Sequence, residues 1–150
     1  MAQIKSRKFN LPLFSQGDGA AAFINDSAAV TVAQAVNDTI DFKIPKGLEL
    51  SFLRAYATDM DTGTPALAFK VGFAPINGST VVANGVSVSA DDDYFSAAAA
   101  LGGSAGGTTY NFPPVVFEED VYLRFTCTTI AATFAAAARG HPATSPSVPL

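Results

Sequence analysis

Ile40-Asp41-Phe42-Lys43-Ile44-Pro45-Lys46-Gly47-Leu48-Glu49-Leu50-Ser51-Phe52 holds two runs of strict alternation on either side of a turn. Successive side chains of a strand point to opposite sides, so Ile40, Phe42 and Ile44 share one face and Asp41 and Lys43 the other. Pro45-Lys46-Gly47 ends the first run as a turn. The second run slips by one residue at Leu53-Arg54-Ala55-Tyr56, which reads as a bulge or as a strand covered on both faces.

Further along the chain the same period returns. Leu67, Phe69, Val71 and Phe73 align, as do Val121, Leu123, Phe125 and Cys127 opposite Tyr122, Arg124, Thr126 and Thr128. Ala28–Ala33 has a β-branched centre and reads as another strand. Loops rich in Gly, Pro, Asp and Asn separate these runs at residues 59–65, 75–79 and 102–107. Short strands spaced in this way predict an all-β domain, an antiparallel β-sandwich, in place of βαβ units. One short helix is expected at Asp93–Leu101, an Ala-rich run opened by acids and stopped by Gly102.

Both ends read differently from the middle. Residues 1–24 carry a basic tip and an apolar run broken by Pro12, which predicts an extended N-terminal arm. That arm needs a partner surface, either its own domain or a neighbouring subunit. Residues 25–138 form the sandwich domain, and 139–150 a Pro/Ser-rich C-terminal tail not expected within a central strand.

The chain has 150 residues, 49% of them hydrophobic and 15% charged, with one Cys and one His. That length predicts one domain, and the apolar content is too high for a disordered chain. A lone Cys forms no internal disulfide, and one Cys with one His is a poor structural zinc site. Of the nine Lys and Arg, three fall in the first eight residues, ahead of all 13 Asp and Glu, which leaves the rest of the chain at a net charge of −7. Such a body repels phosphate backbones, so no nucleic-acid partner is expected, and the cations of the tip suit an acidic protein surface. No apolar stretch approaches the ~20 residues of a bilayer span, so no membrane is expected either.

The motifs that carry chemistry are weak. Gly102-Gly103-Ser104-Ala105-Gly106 has the spacing of a nucleophile elbow, but no strand precedes Ser104, and His141 lies in the Pro-rich tail. Gly17-Asp18-Gly19 lacks the helix that a dinucleotide site needs. Asp59-x-Asp61-x-Gly63 and Asp91-Asp92-Asp93 read as solvated turn acids, with Asp93 capping the helix; a single Ca²⁺ shared by the two loops is the alternative. Glu118, Glu119 and Asp120 are adjacent, so they do not face one another across a substrate. Cys127 is a small core residue. The expectation is therefore no enzyme, no catalytic residues, no metal and no cofactor.

Asp59-Met-Asp61-Thr-Gly63-Thr64, Leu67-Ala-Phe69-Lys-Val71-Gly72, Asp93-Tyr94-Phe95, Ala105-Gly106 and Val121-Tyr-Leu123-Arg-Phe125-Thr-Cys-Thr-Thr129 together resemble small head proteins of tailed bacteriophages, over roughly residues 40–134. Proteins of that type are similar to jelly-roll decoration, or cement, proteins on the capsid exterior. The resemblance implies a structural virion protein on the outer capsid surface, assembled in the host cytoplasm. It would bridge subunits of the major capsid protein and self-associate, with homotrimers ahead of dimers. Lys5, Arg7, Lys8, Phe9, Leu11, Leu13 and Phe14 are the expected contacts to capsid or neighbouring subunit. The alternative is a jelly-roll carbohydrate- or receptor-binding module of a phage tail or fibre, with Tyr56, Tyr94 or Tyr110 stacked on sugar.

Overall fold

Extended backbone dominates the computed structural model, which describes residues 2–10, 23–99, 101–103, 105–135 and 144–149. In chain order its strands are β1 (Gln3–Lys5), β2 (Phe23–Asn25), β3 (Thr39–Ile44), β4 (Glu49–Leu50), β5 (Leu53–Ala57), β6 (Ala68–Pro75), β7 (Thr80–Ala83), β8 (Val86–Ser89), β9 (Asp91–Ala99), β10 (Gly106–Tyr110), β11 (Val115–Val116), β12 (Val121–Thr129) and β13 (Thr144–Pro149). Two larger sheets run β1-β3-β12-β6-β9 and β10-β5-β13-β2, and two small ones pair β11 with β4 and β7 with β8. No helix occurs among the described residues, so none there is long and apolar enough to cross a membrane.

The alternating runs form the core as their period requires. Ile40, Phe42 and Ile44 lie inward on β3, with Phe125, Leu123 and Val121 of β12 directly beside them in register and Cys127 buried further along β12. Leu53, Ala55 and Ala57 bury the inner face of the other sheet while Arg54 and Tyr56 stay outside. Tyr110 of β10 meets Phe125 of β12 edge-on, with ring centroids 6.5 Å apart, so the two larger sheets share one core. The arrangement is consistent with a β-sandwich. Phe42, Phe69, Phe117 and Phe125 are its largest fully buried side chains. Each contributes about 2–3 kcal/mol of transfer free energy relative to an exposed position.

Four expectations need correction. Asp93–Leu101 is not a helix: residues up to Ala99 belong to β9, which pairs antiparallel with β6 through Phe69↔Ala99, Val71↔Ser96 and Phe73↔Asp91. Phe95 buries its ring there, and a sheet edge outweighs the few tenths of a kcal/mol per residue by which Ala prefers a helix. Asp93 therefore caps nothing. Ala28–Ala33 is not a strand either, since Ala28 and Val30 plug the core while Thr31, Val32 and Ala33 are exposed in irregular backbone.

The slip before Leu53 marks a change of sheet. β4 pairs with β11, two residues leave the ladder, and β5 then restarts the alternation against β10. Finally, the Pro-rich end does enter a sheet, because β13 lies between β5 and β2. Thr144–Ser147 pair with β5 and Ser147–Pro149 with β2, so among the described residues Ser147 alone has strand partners on both sides. Among the described residues, Pro146 pairs only with β5 and Pro149 only with β2, and a residue without an N–H tolerates such one-sided pairing.

Candidate functional site

The basic N-terminal segment is built into the larger sheet. β1 runs parallel to β3 as its edge, with Thr39 N–H donating to the Ala2 carbonyl at 2.9 Å and Ser6 N–H to that of Asp41 at 2.8 Å. Ala2 N–H reaches Asp38 Oδ1 at 2.8 Å, and this bond, with a second from Ala35, holds the Asp38 carboxyl below its ordinary range. Gln3 Nε2 donates to Asp41, whose carboxylate is fully buried. Arg124 of β12 grips that carboxylate with Nε at 2.8 Å and Nη2 at 3.0 Å, and the pair raises the Arg124 pKa.

Beyond β1 the chain turns over this face. Arg7 N–H bonds the Ser27 carbonyl at 2.8 Å, and Lys8 donates its N–H to Asp26 and its ammonium to the Asn25 carbonyl. Phe9 is buried, stacked on Tyr122 at 5.4 Å between centroids. Lys5 Nζ lies 5.0 Å and Lys43 Nζ 6.0 Å from the Phe9 ring centroid, and the Arg124 guanidinium covers Tyr122 at 4.7 Å. Lys5, Arg7, Lys8 and Phe9 are thus brought together, with Phe9 on the chain's own sheet, while Leu11, Leu13 and Phe14 lie outside the described residues. Lys43, Tyr122 and Arg124 complete the surface over the buried Asp41 and were not foreseen. Their outward parity was visible in the sequence; their adjacency depends on the β3–β12 register.

The acidic loops have separate roles. Asp61 is buried, and its carboxylate accepts N–H bonds from Ala66, Leu67, Ala132 and Thr133 at 2.9–3.2 Å. Led by the Thr133 bond, these donors hold its pKa at about 2. Both oxygens therefore serve the fold, which leaves them poorly placed for the shared Ca²⁺ of the sequence reading. Asp59 accepts the N–H of Asp61 at 3.1 Å. Asp91, Asp92 and Asp93 bring their carboxylates within 4.8 Å of one another, with Lys70 paired to Asp92. Burial, then Asp93, pushes the Asp91 pKa up. Beside them a cleft of about 610 Å³ opens between the β7–β8 hairpin and β9, where Asn84, Asp91, Asp92 and Tyr94 meet Phe73 and Val115. Asp120 receives the N–H of Lys46 at 2.9 Å.

Cys127 is buried, its thiol pKa raised by burial and its Sγ–H aimed at the Thr129 carbonyl at 3.4 Å. Ser104, His141 and the Gly17–Ala22 stretch lie outside the described residues. Of the three tyrosines weighed for sugar stacking, Tyr110 is buried in the core and Tyr94 lines the cleft. Tyr56 is exposed under the Arg54 guanidinium at 4.6 Å.

No family model matches the chain, and no curated protein matches it. Among solved structures, a chain of the capsid of Ralstonia phage GP4 has a similar fold, with a TM-score of 0.69 over 99% of this chain and 96% of that one. At 17% sequence identity the likeness is one of fold: this chain has the architecture of a phage capsid chain along nearly its whole length.

Proposed function

We propose that the chain is a structural virion protein that binds the outer surface of a phage capsid and stabilises the shell by bridging major capsid protein subunits. The observation that carries this reading is the fold shared nearly end to end with a chain of a phage capsid. Such a protein works through area: contact across a seam contributes ~25 cal/mol per Å² of apolar surface buried, less the costs of association, and many copies multiply it. The grip assigned to it is the N-terminal segment, through Lys5, Arg7, Lys8, Phe9, Leu11, Leu13 and Phe14. Free protein is expected to be trimeric ahead of dimeric.

Strand order supports a jelly-roll type of sandwich. Counting β3, β5, β6, β7, β8, β9, β10 and β12 as the eight strands of a roll, the first, last, third and sixth are adjacent in one sheet. The second pairs with the seventh and the fourth with the fifth, as two Greek keys require.

Electron cryomicroscopy of virions of the phage that encodes this chain tests the proposal. Density for this fold on the outside of the head, at junctions between shell subunits, is the expected result. Density on the tail, together with hits on a glycan array and no binding to emptied capsids, would overturn it in favour of the receptor-binding alternative.

A further inference from the structure

We infer that the outer face of β1, β3 and β12 is a preformed basic docking patch, made by Lys5 and Lys43 over the Phe9 ring with the exposed Arg7 in the turn that follows β1, and that it receives an acidic surface of another protein. In a chain with 13 acids against nine bases, this face gathers Lys5, Lys43 and Arg124, and the turn that follows β1 adds the exposed Arg7 and Lys8, the latter with its ammonium on the Asn25 carbonyl. The acids within reach are already engaged: Asp41 by Arg124 and Gln3, Asp26 by the N–H groups of Lys8 and Ser27, Asp38 by those of Ala2 and Ala35. Among the described residues, Lys5, Arg7 and Lys43 have no carboxylate within ion-pair distance.

Two ammonium groups over one ring repel each other, and the negative face of the ring holds them together. An incoming carboxylate relieves that repulsion, so the patch is arranged for an anion before one arrives. The backbone bonds of β1 fix Lys5 at the sheet edge, and β3 fixes Lys43, so little ordering remains to be done on binding.

Protein is favoured over nucleic acid as the source of the anion. Beyond its first eight residues the chain has a net charge of −7, which repels a long phosphate polymer away from the patch itself. Phe9 is also buried against Tyr122, which leaves no free ring face for a base. The inference rests on the capsid reading only for the choice of partner, an acidic face of a shell subunit.

The test titrates full-length protein onto phage heads that lack it, and onto a poly-glutamate column, comparing wild type with the double variant Lys5→Met, Lys43→Met. Methionine keeps an aliphatic stem on Phe9, so both proteins should melt within a few degrees of each other. The expected result is binding to heads at least about tenfold weaker for the variant, earlier elution from poly-glutamate, and wild-type affinity that falls steeply between about 0.05 and 0.3 M salt. A variant that binds heads as wild type does overturns the patch while the capsid reading stands. Wild type that ignores heads while the variant loses retention on poly-glutamate overturns the capsid reading and keeps the patch. Wild type that prefers duplex DNA to both overturns the assignment of a protein partner.

Discussion

Asp61 fastens the loop before β6 to the segment after β12 with one carboxylate, through N–H donors at Ala66, Leu67, Ala132 and Thr133. Its folded pKa, about 2, lies below the ordinary 3.8, so its contribution to stability is full above about 4 and is lost as pH falls toward 2. Asp61→Asn is therefore expected to melt well below wild type at pH 7, with the gap closing between pH 4 and 2; thermal unfolding across that range measures it. Arg124 answers to a different residue. Arg124→Met strands the fully buried Asp41 carboxylate and should cost about 3–5 kcal/mol in denaturant unfolding, most of it recovered when Asp41→Leu is added.

At the level of elements, β9 carries the clearest conflict between local preference and context. Asp93–Ala99 has the composition of a helix, yet it lies on β6 with two register shifts. The close approach is made at Gly72, where a Cβ would overlap the Asp91 carbonyl and the Asp92 backbone. Gly72→Ala should therefore push β9 from the sheet edge, costing about 1–3 kcal/mol or more, with faster amide exchange confined to β9 and its neighbour. The β7–β8 hairpin shows the opposite case. Asn84-Gly85 with φ of 50° and 81° is the turn chemistry its two-residue loop demands, and Asn84 also binds Val116 N–H and the Pro114 carbonyl.

Across the whole molecule, both ends are tied into the two larger sheets. β1 closes one edge of the five-stranded sheet and β13 fills the four-stranded one. Removing residues 2–10 takes away an edge strand and the buried Phe9 ring, worth about 3 kcal/mol by itself, so the melting temperature should fall by roughly 10 °C. A segment hanging free of the body would leave it unchanged, and calorimetry of the truncated chain separates the two. Lys5→Met, Lys43→Met is for that reason a cleaner probe of the proposed contact than truncation.

The strands whose period of two is written in contiguous residues were legible from the sequence alone: β3, β6 and β12 bury the faces that alternation assigned to the core. Their signal is local, because burial of every second side chain needs no knowledge of the partner strand. The basic character of the start was equally plain. Strand identity for Asp91–Ala99 and Thr144–Pro149, the anchoring role of Asp61, and the meeting of Lys43, Tyr122 and Arg124 with Phe9 were decided by tertiary structure. Each depends on a contact between distant residues, as when Arg124 reaches Asp41 across 83 positions of sequence, and pairing over that span has no local period to announce it.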